Sequence, residues 1–211
     1  MNWLALLACG ALLAGCATDL RSLDDLAHLD RIDMRGPFNP RYRYLRVTAN
    51  GRAVPMVLGF IDPPARPGGA PTDVWYSAAH EVLRLRDGMV VGSAGLPVNW
   101  VDVRYTGWPA WGERPQTIER VRDVEPGYRF GLHDTLRIVA IAPSHSSELR
   151  GVAPDSLRWF EVTNLRNHHR MLYAVRGKLH PRVVYGEQCL DPSLCLTWQD
   201  WPPRPAAAAK G

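Results

Sequence analysis

Lysine is nearly missing from this chain. Of its 25 basic residues only Lys178 and Lys210 are not arginine, and 21 carboxylates oppose them. The net charge of +4 is modest. No basic run is dense enough for a nucleic-acid surface, which needs clustered positive charge. Long apolar runs are missing as well. The stretch from Trp3 to Ala14 is almost wholly apolar, yet it stops short of the ~20 residues a membrane-spanning helix requires. Its length suits the core of a secretion signal. The histidines show no His-x-x-x-His spacing, and His168-His169 is the nearest approach to a metal pair. Neighbours on an extended strand point to opposite faces, so these two could chelate together only in a bend. No metal and no cofactor is expected.

What the N-terminus does contain is Leu13-Ala14-Gly15-Cys16, which looks like a bacterial lipobox. Such motifs are cut before the cysteine, which then carries lipid. Each buried CH₂ contributes ~0.8 kcal/mol, so several acyl chains hold a protein durably on a membrane. No Lys or Arg precedes Cys16, so the positive segment of a signal is missing or the start lies upstream, and a poorer match, Leu6-Leu7-Ala8-Cys9, comes first. Ala17 and Thr18 follow without an Asp beside the cysteine, which favours the outer membrane by analogy with bacterial lipoprotein sorting. Once Cys9 leaves with the signal and Cys16 is lipidated, only Cys189 and Cys195 remain of four cysteines. An isolated pair in an exported protein reads as a disulfide, here closing the loop CLDPSLC.

Leu20, Leu23, Leu26, Leu29 and Ile32 recur every third residue, which predicts a short amphipathic helix ended by Gly36-Pro37. From Tyr42 the period changes to two. Asn50-Gly51 and Asp87-Gly88 sit between alternating runs, the signature of type I′ hairpins. Further strands are expected at 98–106, 118–123, 128–132, 136–142, 159–163, 171–175, 182–185 and 196–198. The pattern predicts an all-β fold. Its form is an antiparallel meander, either a sandwich or a curved, partly open barrel, preceded by a short N-terminal helix. The expected organisation is a signal at 1–15, a lipid-anchored tether and helix at 16–38, a single β domain at 39–201 and a flexible tail at 202–211.

The stretch DVWYSAAHEVLRLRDGMVVGSAGLPVNW holds Ser77, His80, Glu81 and Asp87 in one short span, the ingredients of a hydrolytic site. A triad, however, needs a nucleophile and base in reach and a third group to orient the base. Ser77 lacks the glycines of a nucleophile elbow, its neighbours being Tyr76 and Ala78. His80 and Glu81 fall in a turn. Trp75 and Ser77 share one strand face, and Leu83 and Leu85 alternate with Arg84 and Arg86. The stretch reads as a hairpin scaffold, and no catalytic residue is expected.

These same residues carry a family resemblance. Trp75-Tyr76-Ser77, then Leu83-Arg84-Leu85-Arg86-Asp87-Gly88, Val90-Val91-Gly92 and Ala94-Gly95-Leu96 together resemble the signature of the YjbF/GfcB family of group 4 capsule-associated lipoproteins. Arg122-Asp123 and Pro126-Gly127-Tyr128-Arg129-Phe130-Gly131 resemble that family's second segment, and the lipobox suits its anchoring. Ala79-His80 departs from the tight turn expected there. The Cys189–Cys195 loop and the proline-rich tail lie outside the pattern. The resemblance implies an all-β, periplasm-facing lipoprotein tied to export or assembly of capsule or exopolysaccharide, with no catalytic residues to carry over.

Aromatic residues gather in NWVDVRYTGWPAWGERP, where Trp108 and Trp111 flank Pro109 in a loop and Arg104 stands nearby. Aromatic faces suit sugar rings, and an arginine fork suits the carboxylate of an acidic glycan. Arg104, Trp108 and Trp111 are therefore the candidate glycan- or partner-binding residues. The bland alternative is that the rings fill a β core. The function expected is a non-catalytic, membrane-anchored lipoprotein acting with polysaccharide or its export machinery. Two other classes stay open: a half-barrel carrying lipid or lipoprotein in an apolar cavity, and a periplasmic glycan hydrolase. The hydrolase would need two carboxylates placed across a cleft, and no spacing among Glu113, Glu119, Asp123 and Glu125 selects a pair.

Overall fold

Positive-φ turns set the first hairpins. Asn50 and Gly51 take φ of 49° and 78°, and Asp87 and Gly88 take 47° and 78°, the left-handed pairs that match the twist of flanking strands. The computed structural model describes residues 34, 36–64, 67 and 69–203. The expected signal, lipobox and N-terminal helix, and most of the tail, lie outside these residues. Twelve strands follow in order: β1 (Tyr44–Ala49), β2 (Arg52–Asp62), β3 (Thr72–Tyr76), β4 (Val82–Arg86), β5 (Met89–Ala94), β6 (Asn99–Thr106), β7 (Gln116–Glu125), β8 (Arg129–Ile141), β9 (Arg158–Asn164), β10 (Arg170–Arg176), β11 (Arg182–Asp191) and β12 (Leu194–Trp201). The all-β expectation holds.

The strands form one antiparallel sheet ordered β5-β4-β3-β2-β1-β12-β11-β10-β9-β8-β7-β6. The first and last strands pair at its centre, with Val47 opposite Trp198. The sheet's two edges, β5 and β6, are consecutive in the chain, so the sheet must curl until they meet. There, Trp100 N–H donates to Ser93 Oγ at 2.9 Å and Tyr105 Oη donates to the Val90 carbonyl at 3.1 Å. Side-chain bonds stitch this seam where a ladder would complete it. The architecture is thus the barrel of the two predicted forms, nearly closed, which leaves little free edge for unwanted pairing.

Twelve strands enclose more space than the eight that side chains alone just fill, and large residues occupy it. Trp75, Trp100, Trp198, Tyr173, Phe160, Met56, Met89 and Leu136 are all buried and belong to one inward cluster. A lipid carrier needs these positions small enough to leave an apolar cavity. Here they are filled. Gly88 shows how tightly the wall packs: a Cβ added there would lie 2.3 Å from Val183 Cβ.

Two stretches cover the outside. The 142–157 segment lies over a second cluster of Trp159, Ala174, Val184 and Tyr185. Gln199 clamps it, accepting from Arg150 N–H at 2.9 Å and donating to the Arg150 carbonyl at 2.7 Å. Phe38 meets Tyr44 edge-on at 5.0 Å and Trp201 at 6.4 Å.

Three local expectations change. Residues 129–141, read as two strands, form the single β8. Trp201, beyond the strand expected at 196–198, closes β12 and packs under Phe38. The CLDPSLC segment is mostly strand, not loop: Cys189 and Cys195 oppose each other across β11 and β12 and are joined. Because that ladder already orders the short closed ring, replacing both cysteines by serine is expected to cost no more than about 2 kcal/mol. Urea unfolding of the variant beside the native protein measures it.

Candidate functional site

The hydrolytic ingredients of the β3–β4 connection come together as a clasp. Ser77 is buried, and its Oγ donates to Glu81 Oε2 at 2.8 Å while accepting the Glu81 N–H at 3.1 Å. Ser77 N–H also reaches the Glu81 carbonyl at 3.0 Å. His80 takes the positive φ of the turn, 63°, and its side chain is exposed. Hydrogen bonding of this local kind fixes turns. The serine hydroxyl is committed to a carboxylate on its own hairpin.

The proposed recognition loop divides. Arg104 stands on the outer face of β6, two-thirds exposed, with Asp102 at 3.3 Å. Val103 and Tyr105 on either side of it pack inward. Trp108 is half-buried, edge-on to Tyr105 at 5.0 Å with the Arg86 guanidinium 5.8 Å above its ring. Trp111 enters the barrel. It is only 3% exposed and lies 5.3 Å from Phe160 and 5.2 Å from Tyr173. Arg158 holds the loop down, donating through Nη1 to the Trp111 carbonyl and through Nη2 to that of Gly177, each at 2.6 Å. As placed, Trp111 is buried and Arg104 is exposed on β6. The loop thus sends Trp111 into the core and leaves Trp108 partly and Arg104 largely exposed.

The polar group that sequence reasoning missed lies elsewhere in the barrel. Arg120 and Arg122 both turn inward from β7 toward Asp134 of β8. Asp134 Oδ2 accepts from Arg120 Nε at 3.0 Å and from Arg122 Nε at 2.7 Å. Asp134 Oδ1 accepts from Asn164 Nδ2 at 2.7 Å. The side chains of Arg120 and Asp134 are each 4% exposed and that of Arg122 13%. Both guanidinium groups also stack on Trp100, at 4.5 and 5.0 Å from its ring, and its indole N–H is fixed by the Leu190 carbonyl at 2.9 Å. Burial by itself would raise the Asp134 carboxyl. The Arg122 hydrogen bond, the two arginine charges and the Asn164 amide outweigh it and hold the group below the usual carboxylate range. A signal existed in the sequence: Ile118, Arg120, Arg122 and Val124 share one parity, so a strand that buries Ile118 also points these arginines inward.

Trp100, Arg120, Arg122 and Asn164 border a pocket of about 270 Å³ between the β7–β8, β9–β10 and β11–β12 turns. Its floor includes Met171 and Leu190, and its rim carries Arg129, which pairs with Asp191 at 3.2 Å. At the opposite end a cleft of about 410 Å³ runs past Trp75 and Trp198. Ion pairs there join Arg43 to Asp73 at 2.6 Å and Arg182 to Asp200 at 2.8 Å, and Asp87 also lines the cleft.

No protein-family model matches the chain, and no curated protein matches it in sequence. Among solved structures it is similar to the hypothetical lipoprotein YmcC from Escherichia coli (K12), with a TM-score of 0.58 and 17% identity over 89% of this chain and 95% of that one. At this identity the likeness is one of fold, and it spans nearly the whole of both proteins.

Proposed function

We propose that this protein is a non-catalytic lipoprotein, anchored through Cys16 to the outer membrane and facing the periplasm, that assists export or assembly of a capsule or exopolysaccharide. The observation carrying the reading is that a chain with a Leu-Ala-Gly-Cys lipobox folds like a protein described as a lipoprotein. The ordered motifs around Trp75–Ser77 and Pro126–Gly131 supply the link to polysaccharide. The partner is then the polymer itself or a component of its export machinery. A packed interior and a serine tied into a turn both suit binding better than turnover.

Deleting the gene should lower surface polysaccharide, with recovery by the native chain and not by Cys16→Ala. In the native protein Cys16 should incorporate labelled palmitate and the protein should sediment with membranes. Unchanged polysaccharide in the deletion strain would sink the function. Loss of secretion from His80→Ala or Glu81→Ala at unchanged stability would bring back an enzyme.

A further inference from the structure

We propose that the pocket over Trp100 binds one carboxylate-bearing sugar unit, with Arg122 as the group that receives its acid. The inference rests on the polysaccharide reading and names the substrate class that reading leaves open. Charge is the first ground. Arg120 and Arg122 bring two positive charges to Asp134, which returns one negative charge. Asp134 is already saturated, with Oδ2 taken by both arginines and Oδ1 by Asn164 and, at 3.5 Å, by Arg122 Nη2. On the rim, Arg129 and Asp191 cancel. One positive charge is therefore left over where water is scarce. A buried charge is costly unless it is paired, and the Trp100 face compensates only partly. A second anion would complete the site.

Shape is the second ground, and it selects the kind of anion. Arg122 Nε and Nη2 already face the two Asp134 oxygens, so the edge left for an incoming carboxylate is Nη1–Nη2, whose paired N–H groups also match it. Beside that edge, above the buried floor of Trp100, Met171 and Leu190, stand the more exposed Asn167 and His169, whose N–H groups suit sugar hydroxyls better than a bare inorganic ion. The volume of about 270 Å³ is at the small end for ligand sites, fitting one ring rather than a chain. The opposite cleft has no such positive excess, since beside its Arg43–Asp73 and Arg182–Asp200 pairs it is lined by the carboxylate of Asp87.

Calorimetric titration of the mature protein with an oligosaccharide containing glucuronic acid tests the assignment. Saturable binding is expected, with none for a neutral glucose oligomer of equal length. Arg122→Gln should weaken it by about ten- to a hundredfold. Should that variant unfold, Arg122→Lys, which keeps the charge beside Asp134 and loses the fork, should still weaken it measurably. Undiminished affinity in a folded Arg122 variant would overturn the site, as would equal binding of the neutral oligomer. Inorganic phosphate binding as tightly as the uronate would also overturn it, by showing a phosphate site. Polysaccharide secretion measured in the same variants separates the two ideas. Lost binding with intact secretion leaves the site standing and removes its role in export, whereas intact binding with a null deletion phenotype removes the export reading alone.

Discussion

Replacing Trp111 with alanine should destabilise the domain by about 3–5 kcal/mol, the range for deleting a buried tryptophan from a packed core. The ring fills space between Phe160 and Tyr173 inside the barrel. Its removal leaves a cavity that the wall, held by ladders on both sides, cannot close. For a domain of this size that corresponds to a melting point lower by roughly 6–20 °C. Trp108→Ala should cost clearly less, because its ring is half-buried and rests mainly on Tyr105 and Arg86. Thermal unfolding of the two variants in parallel measures the difference. Equal and small effects would mean that the loop leaves the barrel in solution, and would restore Trp111 as a recognition residue.

Asp134→Ala is expected to be comparably severe, about 3–5 kcal/mol, since it strands two inward arginines without their carboxylate. The effect should depend on pH in a defined direction. Asp134 titrates below its ordinary value in the folded protein, so its contribution is fully present above the unfolded carboxylate pKa of about 4. It is lost as the pH falls through the lower, folded value. The stability gap between native and Asp134→Ala protein should therefore be flat from neutral pH down to about 4 and narrow on further acidification. Urea midpoints across that range provide the measurement. A gap that widened in acid would show that the carboxyl is protonated when folded.

The turns, the strand alternation and the disulfide were legible in the sequence because each is set by neighbours. Asn50-Gly51 and Asp87-Gly88 need only their own backbone preferences to reverse the chain. Period two marks Trp75, Leu83 and Leu85 as inward wherever the sheet goes. Cys189 and Cys195 read as a pair because the other two cysteines belong to the expected signal and lipid anchor, although Pro192 at the centre of their segment hides the ladder that sets them face to face.

Closure was decided by the tertiary structure alone. The β1–β12 pairing joins opposite ends of the domain, and the β5–β6 seam depends on the curl accumulated over the whole sheet. Neither leaves a local mark. The same holds for the candidate site. Parity could aim Arg120 and Arg122 inward, but their meeting with Asp134 depends on the β7–β8 register, which places Asp134 opposite Arg120. Trp111 sits in a glycine- and proline-rich loop that reads as exposed, and only the volume left inside a twelve-stranded wall draws it in. Local conformation follows from adjacent residues. Which side chains meet inside the barrel follows from how much space the closed wall leaves and which distant strands border it.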